Sequence, residues 1–536
     1  MLKNNAAPSS KNQPNPYDKI PYHSSAFTAT SPLLLRSISA ILGLSDLAKS
    51  NAQSNPCLND VKSFSAAASP SSQHISDKSS LENATPISVL ELGCSFGGNL
   101  ISYALHDPSA TLHGIDLSLS QISEGRRIAK FCGASNLVLE HLDITDFSAV
   151  HANSKYDYII AHGVYSWVPA HVREAILSLI ARHLAPFGMA YISFNALPGW
   201  HARMPLRRLM LAAYEQHSNI SFVKQTLDIY RHYLLTRHPN SVQIALIDRI
   251  KEASDHYIRH EWLSEVNDAF YFDEFSASLA HHELGYLCEA DLSDILSPDL
   301  AYKQADDFIR AHFSSHVASE LMLDIFSDRT FRRSLITHAS NIKALANKDI
   351  GVADISKLHI CSILTKTENG YVDNMQRRLD AEYGWLYDLA GQVSPASISL
   401  PQVLALFSDT SHRLQAYAGF IKMLEAVTEG IKVDINPRNA IKYEPYKTRI
   451  NPRYEGYLKY FASTNEPFID FADAFNYVVS ITKKEAEILL RFDGKATKAQ
   501  IVGQIASEFG ASRAKANQYL DELERLASSM YLFEEL

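Results

Sequence analysis

The stretch Val89-Leu-Glu-Leu-Gly-Cys-Ser-Phe-Gly-Gly-Asn99 constrains the fold of this chain more than any other. The short apolar run Ile87–Leu92 reads as a strand, and a helix is expected from about Gly98 to Leu105. Between them lies a glycine-rich turn. Glycines let the backbone take dihedrals closed to other residues and let a ligand approach closely. The next expected strand, Thr111–Ile115, ends in Asp116-Leu117, about 20 residues beyond the turn, where an acid accepts hydrogen bonds from ribose hydroxyls. A dinucleotide site would need G-x-G-x-x-G so that a pyrophosphate can sit on the helix N-terminus. Here the spacing is Gly93-x-x-x-Gly97, Ser95 stands at the middle glycine, and an acid, Glu91, precedes the turn. Glu91 suits a nucleotide cofactor with a positively charged amino-acid end better than a diphosphate. A turn with no ligand would explain the glycines but not the two acids.

Strand and helix continue to alternate after this motif. A helix over Ser120–Phe131, with Ser118 or Ser120 as N-cap, precedes a strand at Leu137–Leu139. Asp143-Ile144 follows that strand, where such folds hold the adenine edge. Further strands are expected at Tyr156–Ala161 and Met189–Phe194, around a helix over Val172–His183. Short links between β and α elements imply an α/β, Rossmann-like, doubly wound parallel sheet over residues 87–205.

The flanks differ in texture. Residues 1–16 and the Ser-rich segment 45–86 are too poor in apolar side chains to offset their ordering entropy, and are expected to be disordered and a flexible insertion. Residues 206–267 read as a helical insertion with a regulatory or dimerisation role. Asp273–His282 and Gly285–Cys288 read as a helix and strand that could finish the sheet, within a region 268–345 whose part from Asp306 to about Asn347 reads as helical. A middle α+β domain (346–440) includes a hairpin signal at Glu368-Asn-Gly370, and 441–536 reads as a helical, winged-helix-like module. Its last helix balances Asp521, Glu522 and Glu524 against Arg513, Lys515 and Arg525, which suits protein contact better than DNA.

Composition excludes several partners. With 536 residues, 50 Lys+Arg against 59 Asp+Glu and a net charge of -9, the chain has no footprint for a phosphate backbone, so no nucleic-acid partner is expected. Its 5 cysteines lack any C-x-x-C, which fits a reducing compartment. The polar start, Met1–Gln13, lacks a signal-peptide layout, and Pro32–Leu44 is a short core-facing helix rather than a membrane span. A cytoplasmic protein without an integral membrane segment is expected. His256 and His260 sit four apart beside Glu261, but without H-E-x-x-H spacing or a third ligand no metal is expected.

The chain resembles the class I S-adenosylmethionine methyltransferases, and within them the bacterial branch that carries a methyltransferase regulatory domain. The resemblance rests on Tyr17-Asp-Lys-Ile-Pro-Tyr22 with Phe27, Leu90–Asn99, Tyr156–Val168, Ser193–Trp200, and the stretch from His260-Glu-Trp262 to Glu289-Ala-Asp291. It covers roughly the first 340 residues, and the Ser-rich insertion departs from it. Its best understood members are rickettsial protein-lysine methyltransferases, so the resemblance implies S-adenosyl-L-methionine as cofactor and a protein lysine as acceptor. It further implies that Glu91, Gly93, Ser95, Gly97, Asp116 and Leu117 contact the amino-acid and ribose parts, and Asp143 and Ile144 the adenine. His162 to Tyr165 would end the fourth strand where methyl group and acceptor meet, and Tyr17 and Tyr22, in a segment 17–44, would fold over the cofactor as a lid. Tyr165, Trp167 and Trp200 offer an aromatic wall that would depress a lysine pKa and hold a methylammonium, with His162 beside them and Asn195 near the acceptor. Either Tyr165 or Trp167 could instead be core.

Two chemistries are absent. Where nucleic-acid amino-methyltransferases carry Asn/Asp-Pro-Pro-aromatic, this chain has His162-Gly-Val-Tyr165, and the one Pro-Cys pair, Pro56-Cys57, lies in the Ser-rich insertion. Methylation of a small molecule is the alternative to a protein acceptor; a cofactor-binding protein without catalysis is disfavoured by the intact Glu91, Gly93 and Asp116 set. The C-terminal part would serve as a docking or dimerisation platform, so a homodimer is one expected assembly.

Overall fold

A computed structural model describes residues 23–54, 86–297, 300, 302–362, 365–368, 370–372, 378–379, 381–426 and 431–536. Tyr17, Tyr22 and most of the Ser-rich segment (55–85) lie outside the described residues. The chain divides into two compact units, a first from 1–31, 86–150 and 440–536, and a second from 32–85 and 151–439.

In the first unit three parallel strands, β1 (Ser88–Leu92), β2 (Thr111–Asp116) and β3 (Leu137–His141), lie in the order β3-β2-β1. Leu90 faces His113 in register, and Leu112 faces Leu137. Val89, Leu90 and Leu92 are fully buried, which is why β1 reads as a continuous apolar run rather than an alternating one. Helices at Gly98–His106 and Leu119–Cys132 connect the strands, and Ser118 caps the second by accepting from Gln121 N. The C-terminal module adds helices at Glu455–Ser463, Lys483–Leu489, Lys498–Phe509 and Arg513–Ser529, with an antiparallel ribbon of Thr448–Ile450 on Phe533–Glu535. Thr482 with Glu485, and Thr497 with Gln500, form capping boxes that fix where two of these helices begin.

The second unit contains β4 (Tyr156–Ala161), β5 (Leu184–Ala196), β6 (Ala269–Phe270), β7 (Leu284–Glu289) and β8 (Phe331–His338), in the order β4-β5-β8-β7 with β6 on β5. β4 and β5 are parallel, whereas β8 runs antiparallel to both β5 and β7. The helix Phe272–His281 and β7 therefore do extend the sheet, with β8 inserted between β7 and β5.

β8 corrects the reading of 306–347 as helical. Helices form at Lys303–His312, His316–Phe326 and Ala339–Leu345, but Phe331–His338 is a strand. Its pattern is masked by Arg332 and Arg333, which look like a solvated helix face. Arg332 is instead fully buried, bonded at 2.8 Å to each of Glu289, Glu320 and Asp324, with its guanidinium over the Phe272 ring at 4.1 Å.

Residues 206–267 contain helices, including Ile220–Arg237 and Gln243–Glu252, around a core of Leu206, Met210, Val223, Leu227, Ile247 and Ile258. The hairpin signal is met by Thr365–Thr367 pairing antiparallel with Gly370–Val372. The helix Pro32–Leu42 buries Leu34, Ile38 and Ile41. A second helix, Leu44–Ser54, occupies the start of the segment expected to be a flexible insertion. Leu44 is fully buried, and Lys357 bonds Asp46 at 2.8 Å, which ties the beginning of this helix to the unit.

Candidate functional site

In the first unit the turn after β1 passes through left-handed backbone at Gly93 (φ 71°), Ser95 (φ 53°) and Gly97 (φ 77°). Ser95 is not glycine, so something must hold it there. Asp116 does so: its Oδ2 accepts from Ser95 N at 2.9 Å, and its Oδ1 accepts from Ser118 N at 2.8 Å. Gly98 is needed for a different reason, since a Cβ there would stand 2.2 Å from the Ser24 carbonyl oxygen. Ser24 Oγ accepts from Gly98 N at 2.9 Å, so the segment after residue 22 crosses the turn at van der Waals distance.

Glu91 is buried at the end of β1, one oxygen accepting from Asn99 Nδ2 at 3.0 Å. Its Oε2 is buried with no hydrogen-bond partner among the described residues. Burial pushes the Glu91 carboxyl up to about 8, helped by the Asp116 charge and opposed by the Asn99 hydrogen bond. Asp116 is also raised, chiefly by burial, with the Ser118 and Ser95 amides pulling the other way. Two nearly dry carboxyls, one with an orphaned oxygen, fit a ligand that brings a cation and hydroxyl donors. An ammonium on Glu91 would displace a proton below pH 8, so affinity for such a ligand should rise by up to about tenfold per pH unit until that point.

The remaining expected cofactor contacts are placed on the rim of the same sheet. Leu117 is exposed and its carbonyl accepts from His141. Asp143 and Ile144 are half-buried, and the Asp143 carboxylate accepts from Thr145 N at 2.8 Å, capping a short turn.

In the second unit, Tyr165 lies on a single helical turn, Tyr165–Trp167, after β4. That turn is pinned on both sides: Ser166 Oγ accepts from Asn195 N at 2.9 Å, and Ser166 O accepts from Asp268 N at 2.9 Å. Tyr165 meets Phe270 and Phe275 edge-on, both at 5.5 Å between ring centres. These rings, with Trp200, Arg173 and Glu174, line a cavity of about 690 Å³. Arg173 lies over Phe270 at 5.0 Å and bonds Asp268 at 2.9 Å, so its charge is compensated at the wall. Burial pushes the Tyr165 hydroxyl up to about 12, and it stays protonated at neutral pH.

The unit brings Tyr165 and Trp200 to one cavity but leaves Trp167 half-buried and off its lining. Asn195 is buried behind the cavity and donates to Asn267 Oδ1 at 2.9 Å. His162 bonds the Tyr191 hydroxyl at 2.9 Å, and burial lowers it to about 4, so it is neutral at pH 7. The His256 and His260 rings lie 4.4 Å apart between centres, tilted by 51°. Phe270, Phe275, Arg173 and Asp268 were not anticipated. Only the apolar β-prone pair Ala269-Phe270 before a helix start could have signalled them.

Comparison with known proteins gives two family models. Residues 90–190 match a methyltransferase domain, and residues 254–338 match a predicted methyltransferase regulatory domain. The chain is 31% identical to the protein RP028 of Rickettsia prowazekii over 266 residues, covering 91% of that protein and 48% of this chain. It is also 31% identical over 361 residues to RP789 of the same organism, covering 65% of this chain but little more than half (56%) of that protein. Among solved structures, PKMT2 from Rickettsia typhi, in complex with AdoHcy, aligns with a TM-score of 0.73 at 21% identity, over 96% of this chain and 100% of that one. That likeness establishes the shared Rossmann-like α/β fold.

Proposed function

The chain belongs to the class I S-adenosylmethionine-dependent methyltransferases that carry a methyltransferase regulatory domain, and on that premise we propose that its methyl acceptor is a lysine side chain of a protein. S-adenosylmethionine supplies an electrophilic methyl group; the chain's own residues bind, orient and dehydrate. Glu91 takes the ammonium of the cofactor's amino-acid end, and Asp116 its ribose hydroxyls.

The observation that carries the acceptor reading is the ring-lined cavity at Tyr165. An amine entering the cavity lined by Tyr165, Phe270 and Phe275 leaves water, which lowers its pKa and frees its lone pair. A methylated, still cationic product is held there by the ring faces. Glu174, Asp268 and Glu274 on the lining are balanced by Arg173, Arg207 and Arg208, so the rings rather than net charge carry the reading. With its hydroxyl at about 12, Tyr165 orients the amine and does not take its proton. The likeness to Rickettsia typhi PKMT2 over nearly the whole chain supports the same reading. A cavity of this volume also suits a small molecule, which is the alternative acceptor.

Incubation with radiolabelled S-adenosylmethionine and a bacterial lysate separates the two. Label is expected in protein and lost when lysines are blocked beforehand; label confined to small metabolites would reverse the order. Tyr165→Ala is expected to lower turnover by about 10²-fold through lost positioning while leaving S-adenosylhomocysteine affinity unchanged. Tyr165→Phe, which keeps the wall, should retain most of the activity in the same assay. The helical insertion supports a homodimer: its helix Ile220–Arg237 exposes Ile229 (69%) and Tyr233 (55%) along an apolar groove. No helix of the described residues is long and apolar enough to cross a membrane, and the dispersed free thiols favour a cytoplasmic location.

A further inference from the structure

Glu91 is not positioned by its own strand alone. Its partner Asn99 sits in the first turn of the helix Gly98–His106, where a primary amide could present either its oxygen or its nitrogen to the carboxylate. Three groups surround its oxygen, and one of them decides the matter. Asn99 Oδ1 faces Asn476 Nδ2 at 2.7 Å, Thr30 Oγ1 at 3.0 Å and Phe27 N at 3.2 Å. Phe27 N can only donate, so the oxygen turns towards it. The Asn476 amide and the Thr30 hydroxyl, whose one proton is shared with Phe27 O at 2.8 Å, accord with that, and the amide N–H is left to point at Glu91. Asn476 and Phe27 lie 377 and 72 residues from Asn99 in sequence, and the amide is buried (3% exposed).

The turn that carries Asn476 is shaped for the task. Asp473 Oδ1 accepts from Phe475 N at 2.8 Å and from Tyr477 N at 3.0 Å, and Asn476 N donates to Asp473 O at 3.0 Å. This closes the turn around Asn476, which takes left-handed backbone (φ 54°), a conformation in which Asn is among the few residues tolerated. The turn is docked on the same helix as Asn99, because Ser102 Oγ donates to Ala472 O at 2.7 Å. Nearby, Phe468 stacks on Phe96 of the glycine-rich turn at 4.8 Å between ring centres, and Phe468 O accepts from Ser24 N at 3.0 Å. The C-terminal module thus contributes directly to the cofactor turn, although neither family model includes it.

We propose that Asn476 and Thr30 are positioning residues for the cofactor's amino-acid end: by fixing the Asn99 amide they hold one Glu91 oxygen and leave the other, Oε2, directed at the cofactor ammonium. This rests on the assignment of S-adenosylmethionine as cofactor. It makes the C-terminal turn a determinant of cofactor affinity, acting through an amide relay rather than by touching the ligand.

The variant to make is Asn476→Gly in the full chain, because glycine keeps the left-handed backbone and removes only the amide. Calorimetric titration with S-adenosylhomocysteine should show affinity about tenfold weaker than wild type at pH 7, the scale of one lost hydrogen bond to a charged group. Titration with adenosine, which has no amino-acid end, should give affinity within about twofold of wild type. With the Asn99 donor loosened, the pH at which S-adenosylhomocysteine affinity levels off should move upward. Thr30→Val, which deletes at constant shape the hydroxyl shared between Asn99 Oδ1 and Phe27 O, should show the same selective loss to a smaller degree and serves if the glycine variant does not fold. Equal losses for both ligands would mean a purely structural role and overturn the proposal, as would unchanged S-adenosylhomocysteine affinity. Wild-type protein that binds neither ligand would instead overturn the cofactor assignment, and this inference with it.

Discussion

Replacing Asp116 by Ala should abolish detectable S-adenosylhomocysteine binding. A carboxylate accepting from two ribose hydroxyls contributes roughly 1.5–3 kcal/mol per charged hydrogen bond, so losing both weakens binding by at least about 10²-fold. Asp116 also has an internal task. With the carboxylate gone, Ser95 N and Ser118 N lose their acceptors, and Ser95 is no longer held at φ 53°. A loss of about 1–3 kcal/mol in unfolding free energy should therefore accompany the binding defect. Asp116→Asn separates the two effects. It keeps an acceptor for one of the amides, so it should recover part of the stability, yet its amide nitrogen cannot accept from a ribose hydroxyl. Calorimetry with denaturant unfolding on the same samples reads both. Normal binding by the Ala variant would show that the ribose is held elsewhere.

Asp116 also shows which features could be read from the residues alone. β1, the turn and the acid at the end of β2 form one local unit, whose steric and chemical demands fall on consecutive or regularly spaced residues. The same holds for the helices of residues 206–267, whose core positions recur at helical spacing. What escaped was set by distant partners. Asn476 lies 377 residues from Asn99. Nothing local announces that the turn at Asp473–Tyr477 belongs beside the helix Gly98–His106. The residues alone leave both Tyr165 and Trp167 open between core and site; Tyr165 lines the cavity and Trp167, two positions on, does not. On a single helical turn neighbouring side chains diverge, and only the Ser166 bonds to Asn195 and Asp268 decide which one faces inward. β8 was missed because burying an arginine is forbidden by local rules and permitted only by carboxylates from β7 and the helix His316–Phe326.

That exception makes the largest stability effect predictable. Arg332→Met preserves much of the side chain's length and apolar contact with Phe272 but removes the charge that Glu289, Glu320 and Asp324 share. Breaking a buried ion pair from one side leaves the partners charged and dry, which costs about 3–5 kcal/mol. Arg329 remains, 2.9 Å from Asp324 and 3.1 Å from Asp294, and can neutralise only part of the excess. The pH dependence discriminates this from simple misfit. In the parent protein burial raises Glu289, but Arg332 and Arg329 outweigh it and hold the carboxyl below its usual range. Asp324 is already raised, burial outweighing the same arginines. Without Arg332 both folded-state values move up. A raised carboxyl costs stability above its unfolded pKa, and that cost is relieved as pH falls below the raised value. The variant should therefore lie furthest below the parent near pH 7.5 and approach it towards pH 5, as read by urea unfolding across that range. A gap constant with pH would assign the loss to packing, and no gap at all would mean that this cluster does not stabilise β8.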